Sequence, residues 1–230
     1  MKAIILAAGK GERLGDVTCN IPKPMIEIKG KPVLEHNINM CLRAGVKDIC
    51  INLHHLPEKI KKHFGNGDNY GVKIKYNYET ELLGTVGGVK SFNRDIGQHP
   101  FFVIYGDTYL DFDLSTLKEF HERKGSDFTV VLFRLDDTSN SGVVKLDRCE
   151  RIKKFVEKPI NSETDSHWVN AGIYLIEPFI LDKLNTEYYD FGYDVIPMLI
   201  DNGFNVYGYK TKKKVIIIDT PELLNNVMRE

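Results

Sequence analysis

Lys2-Ala3-Ile4-Ile5-Leu6-Ala7-Ala8-Gly9-Lys10-Gly11-Glu12-Arg13-Leu14 decides how this chain reads. Lys2–Leu6 is a compact apolar run of the kind that fills a buried parallel strand. The apolar stretch gives way to glycine and charge too soon for a typical secretory signal, and far too soon to span a bilayer. After the strand come small residues. Without side chains in the way, successive backbone N–H groups can approach a ligand and form an anion-binding concavity. Arg13 adds a fork of donors suited to phosphate oxygens. The loop is not G-x-x-x-x-G-K-[ST], and it lacks the third glycine of a dinucleotide fingerprint.

Ten residues on, Ile21-Pro22-Lys23-Pro24-Met25 sets a lysine between two prolines. Proline fixes φ on both sides, so Lys23 stands on a stiffened backbone and can be aimed. Beyond it, strands and helices alternate. Val33–Ala44 has helical spacing and ends at Gly45, Asp48–Leu53 is a second strand, and Pro57–Phe64 is a short helix ending at Gly65. Val72–Tyr78 alternates with period two, Gly84–Asn93 starts a helix from a glycine-rich turn, and Phe101–Tyr105 is a continuous apolar strand. This alternation predicts an α/β fold with a mostly parallel sheet flanked by helices. Phe128–Arg134, Ser141–Leu146, Ile152–Glu157 and Ala171–Ile176 follow as strands with few helices between them, which predicts antiparallel additions. Pro178–Leu184 and Tyr193–Asp201 read as helical, Asn205–Tyr209 and Val215–Ile218 as strands, and Pro221–Arg229 as a final helix. No repeat, linker or low-complexity stretch divides the 230 residues, so one domain is expected.

Composition excludes several classes of function. Basic and acidic side chains nearly cancel, leaving a net charge of −1 and no broad positive field for nucleic acid. The cysteines, Cys19, Cys41, Cys50 and Cys149, are scattered without metal-ligand spacing and read as reduced thiols of a cytoplasmic protein. His54-His55 looks like a metal pair, but adjacent strand residues face opposite ways. Lys212-Lys213-Lys214 reads as a solvated turn and Trp168 as a packing residue.

Further motifs follow in order. They are Glu79 with Leu83-Gly84-Thr85-Val86-Gly87, Gly106-Asp107-Thr108 after an apolar strand, Phe155-Val156-Glu157-Lys158-Pro159, and Val169-Asn170-Ala171-Gly172-Ile173-Tyr174. Together with the opening loop and Pro22-Lys23-Pro24, this series resembles the sugar-1-phosphate nucleotidyltransferases over nearly the whole chain. The family opens L-A-[AG]-G-x-G-x-R-L, followed by P-K-P. Its loop E-x-x-P-L-G-T-[AG]-G has Leu82 here in place of proline, and Glu12 departs from the usual threonine or serine.

The resemblance implies the Rossmann-like nucleotide-diphospho-sugar transferase fold and an Mg²⁺-dependent transfer of a nucleoside monophosphate to a sugar 1-phosphate. It implies that Leu6, Ala7, Ala8, Gly9, Gly11 and Arg13 hold the triphosphate, that Lys23 meets the phosphates near the reacting centre, and that Glu79, Gly84 and Thr85 line the base or sugar pocket. Gly106, Glu157, Lys158, Asn170 and Gly172 would hold the sugar phosphate, with Arg13, Lys23, Asp107 and Lys158 as the catalytic set. Asp107 would carry Mg²⁺. For the second metal carboxylate the family strand ends D-x-G-T-P-E. Anchoring on Thr220-Pro221-Glu222 puts Ile217 at the aspartate, whereas anchoring on the strand's end puts Asp219 there, which is the reading adopted. The glycine-rich loops most resemble guanylyltransferases acting on mannose or heptose 1-phosphate, so GTP is the expected donor. Cytidylyl-, uridylyl- and thymidylyltransferases share the frame, and a catalytically silent nucleotide-sugar-binding regulator is the alternative from another class. Neither a nucleic-acid nor a membrane partner is expected, homo-oligomers are open, and no C-terminal β-helix or acyltransferase domain is expected.

Overall fold

Strand β1 (Lys2–Leu6) runs through a nine-stranded sheet of this computed structural model, which describes residues 1–159, 165–184 and 189–218. After the short helix α1 (Asp16–Asn20) and the small hairpin of β2 (Glu27–Ile28) and β3 (Lys31–Pro32), helix α2 (Val33–Arg43) leads to β4 (Asp48–Leu53). Helix α3 (Pro57–Phe64) leads on to β5 (Lys73–Tyr78), and α4 (Gly84–Lys90) precedes β6 (Phe101–Tyr105). Strands β4 and β5 stack outward from one side of β1, all parallel, and β6 pairs parallel on its other side. The chain therefore reverses its direction of travel across the sheet between β1 and β6. In such sheets a crevice opens beyond the carboxyl ends of the strands at this reversal.

The second half adds β7 (Thr108–Leu110), α5 (Leu114–Lys124), β8 (Phe128–Arg134), β9 (Gly142–Leu146), β10 (Ile152–Glu157) and β11 (Trp168–Ile176). It closes with α6 (Ile196–Asp201), β12 (Val206–Lys210) and β13 (Val215–Ile217). The long β11 pairs antiparallel with β6, β8 and β9, and β9 with β10, as the sequence pattern predicts. β13 pairs with β7 and carries the chain back past the end of β6.

Both faces of the sheet are covered, which is why its strands read as unbroken apolar runs. In β1, Ala3 and Ile5 join one core with Leu34, Ile38 and Cys41 of α2, while Ile4 joins the other with Val86 and Val89 of α4. Burying a side chain such as Ile4 contributes about 1.5–3 kcal/mol. Helix α2 stops at a Schellman turn: Gly45 has φ of 73°, its N–H donates to Leu42 O, and Val46 N–H donates to Cys41 O. Exposed lysines on the outer strands, Lys73 and Lys75 on β5 and Lys153 and Lys154 on β10, discourage edge-to-edge pairing.

Two differences from the sequence expectations have local causes. β11 starts at Trp168 instead of Ala171, because Gly172 at φ of 69° bulges the strand without ending it. The segment Tyr193–Asp201 divides into a π-helical turn, Phe191–Val195, and α6, because Asp190 caps the turn by accepting from Gly192 N and Tyr193 N. The predicted helix Pro221–Arg229 lies outside the described residues.

Candidate active site

At the carboxyl end of β1, Leu6 pairs in register with Asn52 of β4 on one side and Tyr105 of β6 on the other. These three residues floor a cavity of about 290 Å³. Ala7, Ala8, Gly9, Glu79, Gly84 and Thr85 also line it, together with Lys23 and Asp107. The loop after β1 is held by a side chain the motifs do not reveal: Ala7 N–H donates to Asn52 Oδ1 at 2.8 Å, and Asn52 Nδ2 donates to Glu79 Oε1 at 2.7 Å. Glu79 Oε2 accepts from Leu83 N at 3.1 Å. Glu79 thus lines the cavity while its carboxylate ties two of the cavity's loops together. At Gly84, φ is 71°, and a Cβ would stand 2.4 Å from Tyr189 O, so only glycine lets the start of α4 approach that segment.

Lys23 and Asp107 meet at 2.5 Å, Nζ to Oδ2. Lys23 is only 8% exposed, and a charge so removed from water needs a partner. A short 3₁₀ turn, Lys23–Met25, entered from Pro22, aims the lysine as the flanking prolines imply. Asp107 is placed by the end of β6 and by Ile218 N–H donating to its backbone carbonyl at 3.0 Å.

Beyond this pair lies a second cavity of about 260 Å³. It gathers Arg13, Glu157, Lys158, Asn170 and Gly172, and it shares Lys23, Tyr105, Asp107 and Asp190 with the first. Asn170 Oδ1 accepts from Gly172 N at 2.9 Å across the β11 bulge. The Glu157 carboxyl is crowded: a Cβ on Gly142 or Gly192 would lie 2.5 or 2.6 Å from its Oε2. Burial pushes Glu157 up from 4.5 to about 7, the negative charge of Asp190 adds to the rise, and Lys158 pulls against it. Lys158 holds φ of 49°, a left-handed conformation uncommon outside glycine, and its ammonium sits 6.0 Å from the Tyr193 ring centroid.

Gly11 and Gly106 sit behind these cavities instead of lining them. Gly11 turns at φ of 70° against Thr18 and Lys23, and Gly106 donates its N–H to Leu6 O, where a Cβ would come within 2.8 Å of that oxygen. Both glycines permit close backbone approach. Asp219 lies outside the described residues, whereas Ile217, the other position weighed for a second metal carboxylate, lines the second cavity with hydrocarbon. His54 and His55 bond the backbone carbonyls of Glu79 and Thr18, respectively, and Trp168 packs against the core beneath Lys210. Asn52, Tyr105, Tyr189 and Asp190 carry no motif. For Asn52 and Tyr105 the signal was strand register, since each is level with Leu6 at the end of a neighbouring parallel strand.

Among the described residues no group of three or more His, Cys, Asp or Glu side chains could hold a metal ion. Asp107, a single carboxylate lining both cavities, could serve a cation that draws most of its shell from water and phosphate oxygens, as Mg²⁺ does. No helix of the described residues is long and apolar enough to cross a membrane.

The nucleotidyl transferase family profile matches residues 2–215. A UTP–glucose-1-phosphate uridylyltransferase of Synechocystis sp. is 38% identical over 224 residues, which cover 90% of this chain and 57% of that protein. A mannose-1-phosphate guanyltransferase of Aspergillus oryzae is 34% identical over 211 residues, covering 88% of this chain and 57% of that protein. The chain thus spans little more than half the length of these curated relatives. The crystal structure of HddC from Yersinia pseudotuberculosis complexed with GMP-PN superposes with a TM-score of 0.81 at 28% identity, covering 99% of this chain and 98% of that one.

Proposed function

This chain belongs to the nucleotidyl transferase family, and on that footing we propose that it joins a nucleoside triphosphate to a sugar 1-phosphate, releasing pyrophosphate and forming a nucleotide-sugar. The observation that carries the reading is the pair of cavities that meet at Lys23 and Asp107. The nucleoside triphosphate occupies the first, with its phosphates against the Ala7–Gly9 backbone. The sugar phosphate occupies the second, with its hydroxyls toward Glu157 and Asn170 and its phosphate toward Lys158; Arg13, expected on the triphosphate, lines this second cavity and so stands beside both phosphates.

In the reaction a phosphate oxygen of the sugar phosphate forms a bond to the α-phosphorus as the bond from that phosphorus to the pyrophosphate oxygen breaks. The nucleophile is already ionised near neutral pH, since the second pKa of a phosphate monoester is about 6. No side chain need act as a base. The demands are alignment of two anions and relief of their repulsion. Arg13, Lys23 and Lys158 meet the second demand, and the floor of Leu6, Asn52 and Tyr105 meets the first. Asp107 would hold Mg²⁺, which supplies further positive charge to the phosphates when bound.

GTP is the favoured donor and a mannose- or heptose-like 1-phosphate the favoured acceptor. The relatives named guanyltransferase and the GMP-PN complex of HddC support this, while the Synechocystis relative keeps UTP and glucose 1-phosphate in the test. The experiment is pyrophosphate release with GTP, UTP, CTP, dTTP and ATP, each against a panel of sugar 1-phosphates in excess Mg²⁺. Turnover with one pair is the expected result. Ile217 in the second cavity favours a second reading, a nucleotide-sugar-binding regulator. Tight binding of a nucleotide-sugar with no turnover for any pair would select it.

A further inference from the structure

Tyr174 lines neither cavity and is wholly buried, yet it carries a hydroxyl. Its ring is fixed in the core by Phe128, Phe191 and Tyr105, with centroids 5.3, 5.5 and 5.7 Å away. Phenylalanine would fill that space equally well, so packing does not account for the oxygen. The hydroxyl has two partners: Asn170 Nδ2 donates to it at 2.7 Å, and it lies 3.3 Å from the Tyr105 hydroxyl, to which it donates. In a flat strand, residues four apart stand about 13 Å from each other. The β11 bulge alters that spacing: Asn170 pairs with Leu132 and Tyr174 with Val130, so four residues on β11 oppose two on β8.

We propose that Tyr174 is a positioning residue for the sugar-phosphate cavity, acting through Asn170, whose side-chain amide it holds in one orientation. The inference rests on the reading of that cavity given above. An amide has two ends of similar shape, and its partners decide which faces where. Here the nitrogen is tied to Tyr174 and the oxygen to Gly172 N. One amide proton and one oxygen lone pair then remain for a ligand, on defined sides. Burial raises the ionisation of both Tyr174 and Tyr105 well above the ordinary phenol range, so each hydroxyl keeps its proton at working pH. The proton of Tyr174 goes to Tyr105, which leaves the Tyr174 oxygen as the acceptor facing Asn170.

The test is a double-mutant cycle of Tyr174→Phe and Asn170→Ala in the full chain, with KM measured separately for the sugar phosphate and the nucleoside triphosphate. Tyr174→Phe is expected to raise the sugar-phosphate KM about three- to tenfold, the effect of one mis-set hydrogen bond, and to leave the triphosphate KM within about twofold. In the Asn170→Ala background the same substitution should add nothing. A purely structural role predicts a lower melting temperature, both KM values raised, and an effect that persists without Asn170. That pattern, or an unchanged sugar-phosphate KM, overturns the inference while leaving the proposed function standing. A parent protein inert toward every substrate pair overturns the functional reading and this inference with it.

Discussion

Replacing Glu157 with glutamine removes a carboxyl that its surroundings hold against ionisation. Burial is the main cause and the charge of Asp190 the second, and together they outweigh Lys158 to move the group from 4.5 to about 7. The folded protein therefore keeps this proton over a range in which the unfolded chain has lost it. Below 4.5 both states are protonated and the group is neutral in its effect. Between 4.5 and about 7 stability falls as pH rises, and above that the loss is complete. A displacement from 4.5 to about 7 corresponds to roughly 3 kcal/mol. Solvent in the open cavity screens part of it, so about 1–2 kcal/mol is expected near pH 8. For a chain of this length each kcal/mol moves the melting temperature by about 2–4 °C. Glu157→Gln should therefore melt several degrees above the parent in mildly alkaline buffer, and the difference should vanish on titration to pH 4.5. The same variant should bind sugar phosphate more weakly. Thermal unfolding of both proteins across this range is the assay. A melting difference that stays constant with pH would refute the reasoning, because only a titrating carboxyl makes it vary.

Asp107→Asn should lower turnover by about two to three orders of magnitude with far-ultraviolet circular dichroism unchanged, and near-parental turnover would place the cation elsewhere. Lys158→Ala should raise KM for the sugar phosphate about tenfold or more while leaving that for the triphosphate nearly unchanged, and the reverse pattern would exchange the two cavities' occupants. Gly84→Ala sets a Cβ 2.4 Å from Tyr189 O at a left-handed φ, and should cost about 1–3 kcal/mol in thermal unfolding and raise KM for the triphosphate. Burial pushes the Cys41 thiol up to about 12 and that of Cys50 to about 11. An aromatic disulfide reagent at mildly alkaline pH should accordingly modify Cys19 and Cys149 promptly and the other two only on unfolding.

The parts of the site legible in the sequence are those built from consecutive residues. Ala7-Ala8-Gly9 and Pro22-Lys23-Pro24 carry their geometry in their own backbone chemistry, Glu157-Lys158 was reached only through the family resemblance, and the structure places residues of all three segments along the two cavities. The parallel character of the first strands was legible for a similar reason, since apolar runs long enough to be covered on both faces imply parallel neighbours, whereas the strand order was not. Asn52 and Asp190 were not, because their roles arise only when distant segments converge: Asn52 joins Ala7 to Glu79, and Asp190 joins Thr85 to the turn at Gly192. Helix α5 was also missed, although Asp113 caps it by accepting from Ser115 N and Gly125 ends it at φ of 55°. Its charged outer face dilutes the apolar spacing. Glycine proved ambiguous in a different way. Gly9 borders open space, as a ligand-facing residue should, whereas Gly11 and Gly106 make room for neighbouring protein atoms, and one-letter patterns cannot separate these uses.

The Lys23–Asp107 contact sets opposite charges against each other where the two cavities meet. Under the proposed function, an incoming polyanion would draw on the ammonium and a divalent cation on the carboxylate. Either one alone would have to compete with this partly buried ion pair. Arriving together, they would offer each half of the pair a new opposite charge in exchange for the old. On that reading, this ion pair would favour the joint arrival of nucleotide and cation over either alone.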